Sequence, residues 1–310
     1  MPVNVLFAAT DALWPDYETV LQDAVQAAGV EANLSRDIAP QDVDYIVYAP
    51  DSALRDFTPY TRAKAVLNLW AGVEKIAGNP TLTIPLCRMV DPAMTQGMVE
   101  WVTGHTLRHH LGIDAHIRNP ENLWHPLGPP VAWDRRVTLF GLGELGRACA
   151  TALKGLGFDV AGWSRTAKSI DGITTYSGSD GFALALARSE IAITLLPDTA
   201  ATTNLFDAAA FAQMPKGAVL INPGRGPLID DPALLAALDA GQLSHATLDV
   251  FRVEPVPQDH PFWPHPNITI TPHIASETRP YYASQTVAEN IRRGEAGLPF
   301  LHVVDRSLGY

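Results

Sequence analysis

Six short apolar runs recur between residues 136 and 273: "RVTLFGLG", "DVAGWSR", "IAITLLP", "AVLINP", "HATLDVF" and "ITITPH", with helical patterns or loops between them. Parallel strands can be joined only by long crossovers, so runs of this kind alternating with helices specify a parallel sheet covered by helices. Six such runs suggest a complete doubly wound sheet, whose ligands bind beyond the carboxyl ends of its strands. A smaller series precedes it, with strands read at "VNVLFAA" (3–9), "YIVYA" (45–49) and "AVLNLW" (65–70). Its helix "YETVLQDAVQAAG" (17–29) ends on a C-cap glycine. One long helix is expected over 91–113, with Asp91 as N-cap and Pro92 at its first position. The proline- and tryptophan-rich stretch 119–136 then reads as a connection between domains.

The chain has 310 residues, 47% of them apolar and 18% charged. That is long enough for about two domains and too apolar for disorder. A formal net charge of −11 argues against a nucleic-acid binder, which needs a basic face for phosphates, while leaving room for a local basic pocket. Cys87 and Cys149 are too few for a disulfide framework and read as reduced, buried small side chains. The N-terminus lacks the basic start of a signal peptide and no run of 18 apolar residues occurs, so no membrane span and a cytoplasmic location are expected.

The first strand of the larger series runs into "GLGELG". Gly141, Gly143 and Gly146, with Glu144 and Leu145 between them, fit G-x-G-x-x-G, a weak signal alone because packing also produces glycine-rich turns. Here a strand precedes it and the helix "LGRACATALKGLG" follows, which is the context of a dinucleotide site. Gly143 would let the backbone approach a pyrophosphate, Gly146 would let helix and strand pack closely, and the helix N-terminus would attract the anion. An NAD site carries an acid about 20 residues further on, yet the sequence there is "GWSRTAK". Ser164, Arg165, Thr166 and Lys168 make a cradle for a 2′-phosphate; the bland alternative is a solvated basic turn. NADP(H) is therefore the preferred cofactor, with NAD(H) allowed.

Three polar residues stand just past later strands: Arg225 in "LINPGRGPLIDD", Glu254 in "LDVFRVEP" and His273 in "ITITPHIAS". Glycines on both sides of Arg225 would let its guanidinium come close to a ligand. Separately, each residue has an ordinary structural reading; three strand ends of one sheet together point to a reaction centre. Negative charge that develops on a reacting oxygen is stabilised by a fixed cation and a proton donor. A carboxylate beside an imidazole favours its charged form. His105 and His109, four residues apart on the long helix, lack the H-E-x-x-H glutamate and a third ligand, so they are read as polar helix-face residues and no metal is expected.

With "NLWAGVEKI", "LLPDTAATTNLF" and the blocks around Arg225, Glu254 and His273, the chain resembles the D-isomer-specific 2-hydroxyacid dehydrogenases, in their glyoxylate/hydroxypyruvate reductase branch, over nearly its whole length. The resemblance implies that Arg225 binds the substrate carboxylate and polarises the carbonyl, that His273 exchanges the proton, and that Glu254 orients and charges it. It implies carboxylate docking on the backbone of Ala71, Gly72 and Val73. Trp70 would close the pocket or serve equally as a domain-interface aromatic. Leu196, Pro197, Thr202, Ile221 and Asp249 become cofactor contacts, Ile221 through its backbone and Asp249 at the carboxamide. "LPDTAAT" departs from the usual "LPLTPET", which puts the loop contacts in doubt.

The implied architecture is α/β, with two Rossmann-like or flavodoxin-like domains of parallel strands. Residues 1–98 and 275–310 would form a discontinuous substrate domain and 99–274 an inserted dinucleotide-binding domain, with a helix over 279–294 returning to the first. The implied partners are a small 2-keto or 2-hydroxy acid and a second copy of the chain, in a homodimer built partly on the 91–113 helix. The alternatives are a phosphoglycerate-type enzyme, for which no phosphate cluster is evident, and a dinucleotide-sensing binding protein without catalysis.

Overall fold

The computed structural model describes residues 2–119, 121–124, 126 and 128–309. The elements run β1 (Val3–Ala8), α1 (Trp14–Ala27), β2 (Ala32–Ser35), β3 (Tyr45–Tyr48), β4 (Ala65–Asn68), α2 (Glu74–Ala77), β5 (Leu86–Cys87), α3 (Pro92–His110) and α4 (Ile113–Ile117). They continue with β6 (Arg136–Phe140), α5 (Glu144–Gly155), β7 (Asp159–Ser164), β8 (Thr174–Ser177), α6 (Gly178–Arg188), β9 (Ile191–Thr194), α7 (Ala208–Gln213) and β10 (Ala218–Asn222). Last come α8 (Asp231–Asp239), β11 (Leu243–Leu248), β12 (Ile268–Ile270) and α9 (Pro280–Glu295). The chain divides into two compact units, Met1–Met94 with Glu277–Tyr310, and Thr95–Ser276. The boundaries expected at 98/99 and 274/275 thus fall at 94/95 and 276/277.

In the first unit a parallel sheet has the order β2-β1-β3-β4-β5. Successive side chains point to opposite faces, and both faces are covered. Val5, Phe7, Tyr45, Val47 and Leu67 pack with Leu21 and Val25 of α1 and with Val287 and Ile291 of α9. Leu6, Ile46, Tyr48 and Val66 pack on the other side with Val73, Ile76 and Leu82. Two covered faces explain why these strands read as continuous apolar runs and not as alternating ones. The strand order is that of the flavodoxin-like doubly wound fold.

The second unit holds seven parallel strands in the order β12-β11-β10-β9-β6-β7-β8. β6 lies beside β9, and from there the chain winds outward in both directions, so the switch point falls between these two strands. Met98 and Val102 of α3 and Cys149 and Leu153 of α5 cover one face with Val137, Leu139 and Ile221. Leu186, Phe211 and Leu234, of α6, α7 and α8, cover the other with Phe140 and Leu220. Cys87 and Cys149 are buried free thiols, each with its pKa pushed up to about 12 by burial.

Three strands escaped the sequence reading: β2, β5 and β8. The expected 91–113 helix starts as read, with Asp91 Oδ1 accepting from the Met94 N–H at 2.8 Å. It stops at His110, because Gly112 takes a left-handed φ of 65° and α4 starts afresh. Gly29 follows the C-cap residue Ala28 of α1 with φ +77°. The 119–136 stretch contains a 3-10 turn, Ala132–Asp134, and, apart from Arg136, where β6 begins, no other regular element among its described residues.

Candidate active site

The glycine loop sits at the switch point. Gly141 has φ +110°, and a Cβ there would lie 2.4 Å from the Leu195 carbonyl oxygen, so only glycine makes this turn. A Cβ at Gly146 would lie 1.9 Å from the Gly141 oxygen, which fixes how closely α5 approaches the loop. At Gly143, the N-cap of α5, a Cβ would meet no atom within 4 Å and no side chain caps the helix. Open space beside uncapped helix N–H groups is what a pyrophosphate requires. Glu144 is exposed, and Leu145 packs half-buried on the core beneath.

The turn after β7 differs from the expected four-residue cradle. Ser164 is buried, and its hydroxyl donates to the Thr166 carbonyl at 2.7 Å. Lys168 Nζ donates to the Leu142 carbonyl at 2.9 Å. Arg165 and Thr166 remain exposed. Beyond β9, Leu196 packs into the core. The Thr202 hydroxyl serves its own loop, donating to the Pro197 carbonyl at 2.7 Å and accepting from the Thr199 N–H at 2.9 Å. Ile221 is fully buried inside β10, aligned with Ile193 and Thr247, one residue short of the strand end. Its backbone belongs to the sheet ladder.

Arg225, Glu254 and His273 follow the neighbouring strands β10, β11 and β12. His273 Nδ1 and Glu254 Oε2 are 2.7 Å apart, and Glu254 Oε1 accepts from the Phe251 N–H at 2.8 Å. The carboxylate is thus fixed on one side by backbone and on the other by the imidazole, whose Nε2 has no hydrogen-bond partner among the described residues. Arg225 Nη1 donates to the Gly224 carbonyl at 2.7 Å. Its flanking glycines are required by backbone packing. A Cβ at Gly224 would lie 2.7 Å from the Thr194 oxygen, and one at Gly226 would lie 2.0 Å from the Phe251 carbonyl carbon.

Asp249, expected at the carboxamide, is anchored to the loop after β12. It is fully buried, its Oδ1 accepts from Thr271 Oγ1 (2.5 Å) and the Ile274 N–H (2.9 Å), and its Oδ2 accepts from the Ala275 N–H (2.9 Å). Its own carbonyl accepts from the His273 N–H at 2.8 Å. Asp249 therefore clamps both sides of His273, which sits at an uncommon φ of +55°. The sequence reading missed Asn222, also fully buried: Oδ1 accepts from Thr194 Oγ1 (2.5 Å) and the Gly224 N–H (3.1 Å), and Nδ2 donates to the Arg225 carbonyl (2.9 Å). The available signal was a polar residue closing the apolar run "AVLIN".

In the first unit, Trp70 is 39% exposed and Val73 is buried. Asn68 Nδ2 donates to the Trp70 and Gly72 carbonyls at 2.7 and 3.0 Å. The N–H groups of Ala71, Gly72 and Val73 donate to no acceptor among the described residues. His105 and His109 do not form a solvent-facing pair. His109 Nε2 lies 2.8 Å from Thr247 Oγ1 and its ring 4.9 Å from that of His245. Burial, with smaller effects from neighbouring charges, lowers the pKa of His109 to about 3 and that of His245 to about 4.

Residues 105–275 match the family described as "D-isomer specific 2-hydroxyacid dehydrogenase, NAD binding domain". The chain belongs to this family. Among its relatives, the glyoxylate/hydroxypyruvate reductase A of Yersinia enterocolitica is 36% identical over 298 residues, 94% of each chain. That of Serratia proteamaculans is 40% identical over 257 residues, 80% of this chain and 82% of its own. A D-isomer-specific 2-hydroxyacid dehydrogenase from Xanthobacter autotrophicus Py2, solved with NADPH and MES, superposes with a TM-score of 0.93 at 38% identity over the whole of both chains. The NADPH-dependent glyoxylate/hydroxypyruvate reductase of Sinorhizobium meliloti, solved with NADP and sulfate, gives 0.86 at 34% identity over 99% of this chain and 100% of that one.

Proposed function

We propose that this dehydrogenase reduces small 2-keto acids, glyoxylate and hydroxypyruvate, to the corresponding 2-hydroxy acids with NADPH. The observation that carries the reading is the 2.7 Å contact between Glu254 and His273, at the carboxyl ends of the sheet that also holds the glycine cradle. Bound NADPH supplies the hydride that adds to the carbonyl carbon. His273 Nε2 gives its proton to the carbonyl oxygen as charge builds there, while Glu254 accepts the Nδ1 hydrogen and stabilises the charged ring. The Arg225 guanidinium binds the carboxylate and draws charge toward the carbonyl oxygen. The N–H groups of Ala71, Gly72 and Val73 are donors of the kind a carboxylate takes.

The cofactor reading rests on the open space at Gly143, on the missing acid after β7, and on the exposed Arg165 at that turn. An Arg165 contact with a 2′-phosphate is a charged hydrogen bond, typically ~1.5–3 kcal/mol, or roughly a tenfold to hundredfold preference for NADPH. Steady-state kinetics with glyoxylate and both cofactors test this, using wild type and Arg165→Ala. Expected are a wild-type preference for NADPH and its loss in the variant through KM. Binding of NADPH without turnover of any small keto acid would favour a dinucleotide sensor instead.

The assembly we propose is a cytoplasmic homodimer. Ile117, Trp124 and Trp133 are 74%, 94% and 70% exposed, apolar surface that a second copy would cover. No helix among the described residues is long and apolar enough to cross a membrane. Sedimentation at the mass of a single chain would refute the dimer.

A further inference from the structure

We infer that Lys168, one turn beyond the 2′-phosphate position, is a positioning residue that aims the pyrophosphate-binding peptide of the glycine loop and does not itself bind the 2′-phosphate. Its ammonium donates to the Leu142 carbonyl at 2.9 Å, and its own carbonyl accepts from Thr175 Oγ1 at 2.6 Å. The lysine is therefore held at both ends, by β8 and by the loop after β6. The carbonyl of Leu142 and the N–H of Gly143 belong to one planar trans peptide and point in opposite directions. Fixing the carbonyl on Lys168 turns the Gly143 N–H away from it, and this N–H donates to no acceptor among the described residues. It belongs to the residue at which a Cβ would meet nothing.

Two further contacts hold the same loop. The Gly141 N–H donates to the Trp163 carbonyl at 2.9 Å, and the Leu142 side chain fills the space beside Gly162, where a Cβ would lie 2.4 Å from its Cδ2. Only Lys168 supplies charge among these anchors, so it also places a cation behind the peptide that faces the phosphates. The inference rests on the dinucleotide reading of the loop, because an aimed N–H needs an anion to receive.

Fluorescence or calorimetric titrations of wild type, Lys168→Met, Lys168→Arg and Arg165→Ala separate the roles. The probes are NADPH, NADH, ADP-ribose and adenosine 2′-monophosphate, which carries the 2′-phosphate and no pyrophosphate. Lys168→Met should weaken NADPH, NADH and ADP-ribose alike, by roughly tenfold, and leave adenosine 2′-monophosphate at its wild-type Kd. Lys168→Arg, which keeps a charged donor, should recover part of the loss, and Arg165→Ala should weaken only the two probes with a 2′-phosphate. Weaker adenosine 2′-monophosphate and unchanged NADH in Lys168→Met would make the lysine a phosphate ligand and overturn the inference, with the cofactor reading intact. Wild-type protein that binds none of the four would overturn both.

Discussion

Two alanine substitutions three residues apart should separate binding from folding. At Gly143 an added methyl meets no atom within 4 Å, and the backbone, with φ −74° and ψ −165°, is one that alanine adopts freely. Losing a glycine restricts the unfolded chain and stabilises by ~0.4–1 kcal/mol, against a few tenths to ~1 kcal/mol lost at an N-cap, so the net change should stay within about 0.5 kcal/mol of zero. At Gly146 the methyl would lie 1.9 Å from the Gly141 oxygen, and Gly141 cannot yield because Leu195 occupies its other side. Displacing the helix from the loop should cost ~2–3 kcal/mol, within the range for overpacking, and lower Tm by roughly 4–12 °C.

Dinucleotide binding should respond in the opposite order of subtlety. Gly143→Ala keeps the fold but puts a methyl where the pyrophosphate approaches, so Kd for NADPH and NADH should rise together by at least about tenfold. Gly146→Ala should lose binding and stability together. Thermal unfolding without ligand, followed by titration with each dinucleotide, reads both quantities. A Gly143→Ala protein that binds NADPH as tightly as wild type would refute the assignment of that open space, and an undisturbed Tm in Gly146→Ala would refute the packing argument.

Other expectations follow from single contacts. Arg225→Lys keeps the charge but loses the paired donors, so kcat/KM for glyoxylate should fall roughly tenfold to hundredfold; wild-type kinetics would remove Arg225 from the site. Glu254→Gln keeps a group able to accept from the Phe251 N–H while removing the charge opposite His273. Reduction should slow by on the order of a hundredfold with Tm nearly unchanged, and an unaffected kcat would break the proposed coupling. Folded-state pKa values of about 3 for His109 and about 4 for His245 lie below the unfolded value near ~6.5. The stability they protect is complete above pH ~6.5 and is lost as pH falls toward 4, at up to ~1.4 kcal/mol per pH unit for each histidine. Urea midpoints at pH 7 and pH 5 should show the decline, and the double variant His109→Gln, His245→Gln should flatten it; an equal slope in both proteins would exclude the pair as its source.

What the sequence made legible follows from burial. Strands covered on both faces, such as Ala218–Asn222 and Tyr45–Tyr48, are continuous apolar runs and were read at once. β2 (Ala32–Ser35) and β8 (Thr174–Ser177) lie at sheet edges with half-exposed side chains; β8 is largely polar, and β2 carries only a short alternation, Ala32 and Leu34 facing the core, in place of a continuous apolar run. Gly141 and Gly146 were legible because a motif states their backbone need. The orientation of polar side chains was not: Lys168 turns back to Leu142, Ser164 to Thr166 and Asp249 to the 271–275 loop. A donor or acceptor takes whichever partner tertiary packing brings near, and a linear sequence does not record that distance. The histidines of α3 illustrate the same limit, since helical spacing shows that His105 and His109 share a side but not that Thr247 and His245 lie opposite it.

A single device recurs at three strand ends, one in the first unit and two in the second. Asn68 closes β4, Asn222 closes β10, and Asp249 directly follows β11; their exposures are 1%, 0% and 0%. Each turns its side chain onto the backbone of the loop that follows or lies beside it: Asn68 to the Trp70 and Gly72 carbonyls, Asn222 to Gly224 and Arg225, Asp249 to the Ile274 and Ala275 N–H groups. Burying an amide or carboxylate is costly unless its hydrogen bonds are made; both polar atoms of Asn222 and of Asp249 have partners, whereas Asn68 holds its loop through Nδ2 alone, its buried Oδ1 having none among the described residues. In the function proposed above, loops that present N–H groups, a guanidinium or an imidazole to a substrate could not be fixed by apolar packing alone, because their outer face would have to stay open. Anchoring them from below through the last polar residue of a buried strand leaves that face free. The polar breaks in "AVLN", "AVLIN" and "ATLD" are therefore where these strands stop serving the core and start holding loops.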